Sequence, residues 1–283
     1  MRVSPRWKLL LPALSLAMLS GCPSPPRAPP PLPPAAPGAA PPAVAPVPAP
    51  HVGTPYQILP QSSLLTVLVY RGGTLASAGH NHVIASHDLS GAVYIPSAVM
   101  QSSFEVHVPV GTLTVDEAEL RAQQPAAEFP PDVSESAKQG TRRNMLGEAL
   151  LDAQRNPEIV LQSLQLEPAG AGVPEKSCVL LTAGCPPVTA SMISWGGPSA
   201  AADSGAVLAH VQSSVRGQLR TFTVPVRYRL EGKGALEISG EFPLRQSELG
   251  LTPFSAMLGA LQVQDEMRVN FHIVAHAATR QSP

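Results

Sequence analysis

The chain has 283 residues and a formal net charge of −1, with 14% charged and 44% hydrophobic residues. A near-neutral charge provides no basic field for nucleic acid, so we expect no nucleic-acid partner. No run of 18 or more apolar residues follows the first twenty positions, which excludes a protein with several membrane-spanning helices. Residues 53–278 are numerous enough to bury a substantial core.

Residues 1–21 have the pattern of a secretory signal. Arg2, Arg6 and Lys8 precede an apolar stretch that is too short to remain as a membrane-spanning helix. The stretch ends in Leu-Ser-Gly-Cys at Cys22, which resembles a bacterial lipobox. This resemblance implies lipidation of Cys22 and a membrane anchor at the cell envelope, on the periplasm-facing side of the outer membrane. The alternative is an ordinary secretory signal with an incidental cysteine.

Residues 22–52 form a segment rich in proline and alanine, which contains 14 of the 33 prolines in the chain. Such a composition favours extended polyproline II structure, with a rise of about 3.1 Å per residue. We interpret the segment as a disordered spacer between the anchor and the folded domain. A proline-rich ligand for a partner protein is the alternative.

The domain at residues 53–278 is dominated by alternation of apolar and polar residues. Long alternating runs at 104–110, 222–230 and 267–273 indicate half-buried antiparallel strands. Weaker strand patterns occupy residues 64–70, 83–95, 159–166, 207–215 and 236–244. About eight antiparallel strands predict an all-β sandwich or closed barrel, between which the alternation alone does not decide.

One or two short helices are predicted, at residues 115–127 and 134–145. At the start of the first, Asp116, Glu117 and Glu119 are interpreted as the solvated first turn of a helix.

Residues 168–205 interrupt the strand pattern with glycine, proline, alanine and serine, and we interpret them as an insertion in a long hairpin loop. This segment contains Cys178 and Cys185. In an oxidising envelope we expect these two cysteines to form a disulfide. Their separation does not match the usual spacings of metal-binding or redox-active cysteine pairs.

Five segments in order along the chain resemble the YceI-like family. They are residues 56–69, 78–95 (AGHNHVIASHDLSGAVYI), 150–163 (LLDAQRNPEIVLQS), 217–226 (GQLRTFTVPV) and 242–251 (FPLRQSELGL). The resemblance implies a lipocalin-like antiparallel β-barrel of eight strands that binds a polyisoprenoid in an elongated apolar cavity. This chain departs from the family in its lipid anchor, in its insertion and in Gln246-Ser247, where the family has an arginine-serine pair.

An eight-stranded barrel has room inside for one slender ligand or for its own side chains. The inward residues expected to line a lipid cavity are Phe104, Val106, Phe222, Val224, Val226, Phe242, Phe254, Met257, Met267 and Phe271. The alternative is that these residues pack on one another as an ordinary core.

His80 and His82 are the most distinctive polar pair in the sequence, because a strand places residues two positions apart on the same face. They are expected to contact a polar head group, such as a pyrophosphate or a quinone ring, or to form a structural hydrogen-bonding pair at a hairpin turn. The remaining alternative is that they hold a metal ion. A third metal ligand could come from His87, His272 or His276.

Three functions follow from these features. The leading one is a carrier or reservoir of an isoprenoid-type lipid or quinone-like ligand. The others are a metal-assisted enzyme built on His80 and His82, and a scaffold or stress lipoprotein with a packed barrel. The familiar nucleophile, zinc-protease, phosphate-loop and dinucleotide motifs do not occur, so we predict neither enzyme activity nor a cofactor.

Overall fold

The computed structural model describes residues 48–169, 204–231 and 234–278. These residues form twelve strands: β1 Thr54–Ile58, β2 Leu64–Gly72, β3 His82–Ser86, β4 Ser90–Ile95, β5 Ser103–Pro109, β6 Thr114–Val115, β7 Glu158–Pro168, β8 Ser204–Val215, β9 Gln218–Glu231, β10 Ala235–Arg245, β11 Ser255–Ala256 and β12 Leu261–Ala277. The helices are α1 Ala118–Ala122 and α2 Glu135–Leu146. Short 3-10 turns lie at Pro60–Ser62, Ala76–Ala78, Val99–Gln101, Val110–Thr112, Gln246–Leu249 and Met257–Gly259.

Eight of these strands close into an antiparallel barrel. Their order around the ring is β1, β4, β5, β7, β8, β9, β10 and β12. The ring closes where β12 pairs with β1, with Tyr56 opposite Ala277. All of these pairings are antiparallel. The predicted all-β, lipocalin-like barrel of about eight strands is confirmed.

The long strand β12 also pairs with β2, which extends the barrel wall. Strand β3 follows β2, and the two-residue strand β6 follows β3. The side of this extension that faces away from the barrel is covered by α1 and the segment after it, in a small second core of Leu68, Val83, Ala85, Leu120 and Phe129. Strand β3 therefore lies between the barrel interior and this second core.

One predicted strand, and one segment that resembles the family, are each divided in the structure. The pattern at 83–95 corresponds to β3 and β4, because β3 pairs with β2 whereas β4 pairs with β1 and β5. The segment that resembles the family at 56–69 corresponds to β1 and β2, which are separated by the turn that begins at Pro60. Proline lacks the N–H that a continuous ladder requires at that point.

The first predicted helix is shorter than expected, and the second is confirmed. Residues 115–127 contain only the five-residue α1, with Val115 in β6 and Pro125 following soon after the helix. A residue that precedes proline is disfavoured in helical conformation. Helix α2 closely matches the prediction, and the Ser134 side chain caps it by accepting a hydrogen bond from Ala137 N.

The folded domain begins slightly before its predicted boundary at residue 53. The backbone N–H of Ala49 donates to the carbonyl oxygen of Ser163 at 2.9 Å. The ring of His51 lies 4.3 Å from that of Tyr94, centroid to centroid. The last residues of the predicted 22–52 spacer therefore pack on the barrel wall.

Several predicted features lie outside the described residues: the signal at 1–21, Cys22, most of the spacer, and Cys178 and Cys185. The insertion does connect neighbouring antiparallel strands, because β7 ends at Pro168 and β8 begins at Ser204. Among the described residues, no helix has the length and apolar character needed to cross a membrane.

Candidate ligand-binding site

The barrel encloses a cavity of about 610 Å³. Alternate residues of each strand face inward, as strand geometry requires. On β9 the lining residues are Phe222, Val224, Val226, Tyr228 and Leu230. On the central part of β12 they are Met267, Val269, Phe271 and Ile273. The alternation detected in the sequence therefore becomes an apolar wall around an open volume.

The structure places nine of the ten expected residues along this cavity: Phe104, Val106, Phe222, Val224, Val226, Phe242, Phe254, Met267 and Phe271. The expectation was wrong for Met257, which is 71% exposed and does not line the cavity. Met257 and Leu258 both have positive φ, in the turn between β11 and β12. This left-handed turn leaves both side chains in solvent.

Three phenylalanines form an aromatic cluster in the wall. The rings of Phe222 and Phe242 are stacked with centroids 6.3 Å apart, and Phe271 meets Phe242 edge-on at 6.5 Å. The Phe271 ring lies directly over Gly240, where a Cβ atom would be 2.5 Å from Phe271 Cζ. Glycine at this position is therefore what allows the ring to lie against β10.

Polar lining residues are concentrated at the end of the barrel where β2 and β12 pair through Gly72 and Gln262. Those at this end are Arg71, His80, His82, Thr141, Asn144, Gln246 and Gln262, and the lining also contains Ser102 and Ser213. Arg71, His80, Asn144 and Gln262 are also exposed to solvent, which identifies this end as a mouth of the cavity. Lining residues at the opposite end, such as Ile58 and Leu236, are buried.

A chain of hydrogen bonds runs from the second core into this mouth. Asp116 Oδ2 lies 2.6 Å from His82 Nδ1, and His82 Nε2 lies 3.2 Å from Thr141 Oγ1. The other carboxylate oxygen of Asp116 accepts hydrogen bonds from Val83 N at 2.9 Å and from Arg121 Nη1 at 2.7 Å. His82 and Thr141 line the cavity, whereas Asp116 and Arg121 are only 1% exposed.

The guanidinium of Arg121 is held by backbone as well as by Asp116. Its Nε donates to Pro130 O at 2.6 Å, and its Nη1 donates to Asn81 O at 2.8 Å. The group also lies 5.7 Å from the centre of the Phe129 ring, within range of a cation–π interaction. The arginine is therefore fixed in place and balances the charge of the carboxylate.

The electrostatics of the network set the proton positions on His82. Burial alone would raise the pKa of Asp116, but hydrogen bonds from His82 and Val83 and the charge of Arg121 outweigh it and hold the pKa below its usual value. Asp116 is therefore an anion that accepts a hydrogen bond from Nδ1–H of His82. In the neutral imidazole this arrangement leaves Nε2 as a hydrogen-bond acceptor that faces Thr141.

Arg121 and Thr141 were not among the residues predicted from the sequence, and the prediction for Asp116 was wrong. Asp116 is a buried residue that precedes α1 and has a φ of 54°, whereas a solvated helix turn was expected. His82 and Asp116 are separated by 34 residues, and His82 and Thr141 by 59, so no spacing rule relates them. No local pattern marks Arg121 as buried, because its neighbour Leu120 lies on a different face of the helix.

The histidines do not assemble as a metal site. The rings of His80 and His82 are 6.2 Å apart, and His87 instead bonds to Glu117 on the surface at 3.0 Å. His272 and His276 do not line the cavity, whose wall includes their neighbours Phe271 and Ile273 on β12. The described parts of the chain contain no group of three histidine, cysteine, aspartate or glutamate residues suited to a metal ion.

The pair that departs from the family pattern makes structural hydrogen bonds. Gln246 is 4% exposed, and its Nε2 donates to Gln264 O at 2.8 Å. Ser247 Oγ donates to the carboxylate of Asp265 at 2.6 Å. These contacts join the turn after β10 to the start of β12, beside the mouth.

No family model matches the sequence, and no curated protein matches it either. Among solved structures, the chain is similar to BcnA from Burkholderia cenocepacia, with a TM-score of 0.48 and 15% identity over 77% of this chain and 99% of that one. A polyisoprenoid binding domain from Saccharophagus degradans has a TM-score of 0.46 and 9% identity, over 79% of this chain and 98% of that one.

A YCEI protein from Campylobacter jejuni has a TM-score of 0.39 and 9% identity, over 68% of this chain and 82% of that one. The similar structures thus include YceI proteins.

Proposed function

We propose that the barrel binds a long amphiphilic lipid of the isoprenoid type in its cavity and serves as a carrier or reservoir for it. The observation that carries the proposal is the cavity volume of about 610 Å³, inside the roughly 300–1,000 Å³ typical of ligand sites. A barrel filled by its own side chains, as in the scaffold alternative, would lack such a volume.

The distribution of polarity inside the cavity favours an amphiphile over a wholly apolar guest. The wall formed by β9, β10 and β12 is apolar, and burial of each ligand methylene against it contributes roughly 0.8 kcal/mol. Polar side chains collect at the mouth, where His80 and Arg71 meet solvent. The ligand tail would thus occupy the barrel, with its head group at the mouth.

The isoprenoid class comes from the sequence resemblance to the YceI-like family. A quinone-like ligand with an isoprenoid tail belongs to the same proposal. Binding is favoured over catalysis by the cavity itself, whose long apolar wall suits a lipid tail. The metal-assisted alternative lacks a third ligand among the described histidines. The proposal therefore requires neither a cofactor nor a metal.

We further propose that the chain is an envelope lipoprotein anchored through Cys22, on the periplasm-facing side of the outer membrane. The lipobox-like ending of the signal and the proline-rich spacer support this location. An extended spacer of about 3.1 Å per residue would let the barrel reach lipid away from its own anchor.

Lipid extraction from the purified full chain, followed by mass spectrometry, tests the binding function. We expect one dominant long-chain isoprenoid lipid in a near-stoichiometric amount. Absence of lipid from the purified chain, together with failure to take up added lipid, would contradict the proposal.

A pair of variants on β9 provides the matched control. Val224 lines the cavity, whereas Thr221 is exposed on the same strand. Val224→Gln places an amide among apolar side chains and should strongly reduce the extracted lipid. Thr221→Gln should leave the lipid content unchanged. Equal lipid content in the two variants would locate the ligand outside the cavity.

A further inference from the structure

Two polar groups lie just inside the mouth, deeper than its exposed rim. Thr141 Oγ1 and His82 Nε2 are 3.2 Å apart, both residues line the cavity, and both are half-buried. His80 and Asn144 on the rim are exposed. The end of a ligand whose tail fills the barrel would therefore meet the His82–Thr141 pair before it met solvent.

The His82–Thr141 pair has free hydrogen-bond acceptors but no free donor. Asp116 accepts a hydrogen bond from Nδ1–H of His82, so in the neutral imidazole Nε2 accepts and the Thr141 hydroxyl donates to it. The Thr141 oxygen then retains lone pairs toward the cavity, while its only proton is already used. The pair offers acceptors to a ligand and has no unused proton to donate.

The charge behind the pair is balanced. The Asp116 carboxylate and the Arg121 guanidinium are in contact at 2.7 Å, and both are buried. With His82 as the neutral imidazole, the network therefore adds no net positive charge that would draw an anion to this depth in the mouth. An oxyanion would also meet the acceptor lone pairs of Thr141 without a proton to share.

We propose that His82 and Thr141 form a head-group site for a ligand hydroxyl, so that the favoured ligand is a long-chain alcohol or phenol. The ligand O–H donates to Thr141 Oγ1, or replaces the Thr141 hydroxyl at His82 Nε2. Asp116 acts as a positioning residue that fixes the acceptor face of His82. This inference rests on the proposed function and narrows its ligand class.

The test compares three probes that share one tail: farnesol, farnesyl methyl ether and farnesyl phosphate. Binding of each to the full chain, stripped of bound lipid, is measured by calorimetric titration. We expect farnesol to bind about fivefold or more tightly than the ether, since one net hydrogen bond has roughly that effect. The phosphate should bind less tightly than farnesol.

Three variants assign this preference to the pair. Thr141→Val should reduce the alcohol-to-ether ratio to within about twofold of one, whereas Thr141→Ser, which keeps the hydroxyl, should retain it. Thr112→Val is the control, because Thr112 is exposed, does not line the cavity and bonds only locally to Pro109 O. It should keep the parent ratio.

The outcomes separate this inference from the function on which it rests. Equal binding of farnesol and its ether, or tighter binding of the phosphate, overturns the hydroxyl site and leaves lipid binding in place. A preference that survives in Thr141→Val also overturns it. If none of the probes binds, and extraction of the parent yields no lipid, both proposals fail.

Discussion

Asp116 and Arg121 are two charged side chains that the fold removes almost completely from water. Desolvation costs several kcal/mol for each ion, and the pair is tolerated because hydrogen bonds occupy much of its donor and acceptor capacity. The carboxylate also holds His82 at the cavity mouth through the 2.6 Å contact with Nδ1. The fold thus maintains a costly polar arrangement at the point where the ligand head group is proposed to lie.

The ion pair of Asp116 and Arg121 should contribute to the stability of the fold. Asp116→Asn should lower the free energy of unfolding by about 3–5 kcal/mol, because Arg121 would remain buried without a counter-charge. Urea unfolding of the variant and parent measures the loss. Glu119→Gln on the exposed side of α1 is the matched control and should change stability by less than about 0.5 kcal/mol. A similar effect of both changes would contradict the structural role of the pair.

The same pair predicts how acid affects stability. The folded-state pKa of Asp116 lies below its unfolded value of about 3.9, so the carboxylate stabilises the fold at higher pH. This contribution is complete above the unfolded pKa and is lost as the pH falls through the folded pKa. The stability gap between the parent and Asp116→Asn should therefore narrow below about pH 4. A gap that widens on acidification would contradict the assignment.

Gly240 is a second residue on which the cavity wall depends. An added Cβ would lie 2.5 Å from Phe271 Cζ and closer still to the carbonyl oxygen of Pro225. Gly240→Ala should therefore destabilise the barrel by about 1–3 kcal/mol, as overpacking does. Gly111→Ala is the control, because nothing lies within 4 Å of its added Cβ. Thermal unfolding should show a lower melting temperature for Gly240→Ala than for Gly111→Ala. Equal melting temperatures would contradict the role of the close approach between Phe271 and Gly240.

Among the elements, strands with long alternating patterns were predictable from the sequence. The positions at which one apparent strand is divided into two were not. Strands β9 and β12 alternate at residues 222–230 and 267–273, because there one face lines the cavity and the other faces outward. The gap between β3 and β4 depends on which neighbour each strand pairs with, and that information is not local. The contact of His82 with Asp116 was unpredictable for the same reason.

Helix α2 is the element that brings Thr141 to His82, and its start is fixed by a side chain. The hydroxyl of Ser134 accepts a hydrogen bond from Ala137 N at 3.3 Å. Ser134→Ala should therefore cost about 1 kcal/mol, the usual effect of losing an N-cap. Ser97→Ala, at an exposed site outside any helix, is the control. Urea unfolding that shows no difference between the two would contradict the capping role.

For the molecule as a whole, the sequence predicts an anchor, a spacer and a barrel in that order. If Cys22 carries the lipid anchor, Cys22→Ala should transfer the protein from the detergent phase to the aqueous phase in a detergent partition experiment. Cys178→Ala is the matched cysteine control and should remain in the detergent phase. A Cys22→Ala variant that still partitions with detergent would rule out acylation at that residue as the anchor.

The central claim is that the barrel is hollow and accommodates a guest, and paired stability measurements on two phenylalanines test it most directly. Phe129 is packed in the second core at 1% exposure, whereas Phe271 lines the cavity. Phe129→Ala should lower the free energy of unfolding by roughly 3–5 kcal/mol, as expected for a close-packed core. Phe271→Ala should lower it clearly less, because the bound guest fills part of the space that the ring leaves. If both variants lose the same free energy of unfolding, and no lipid is bound to either of them or to the parent, the ligand-binding barrel is contradicted.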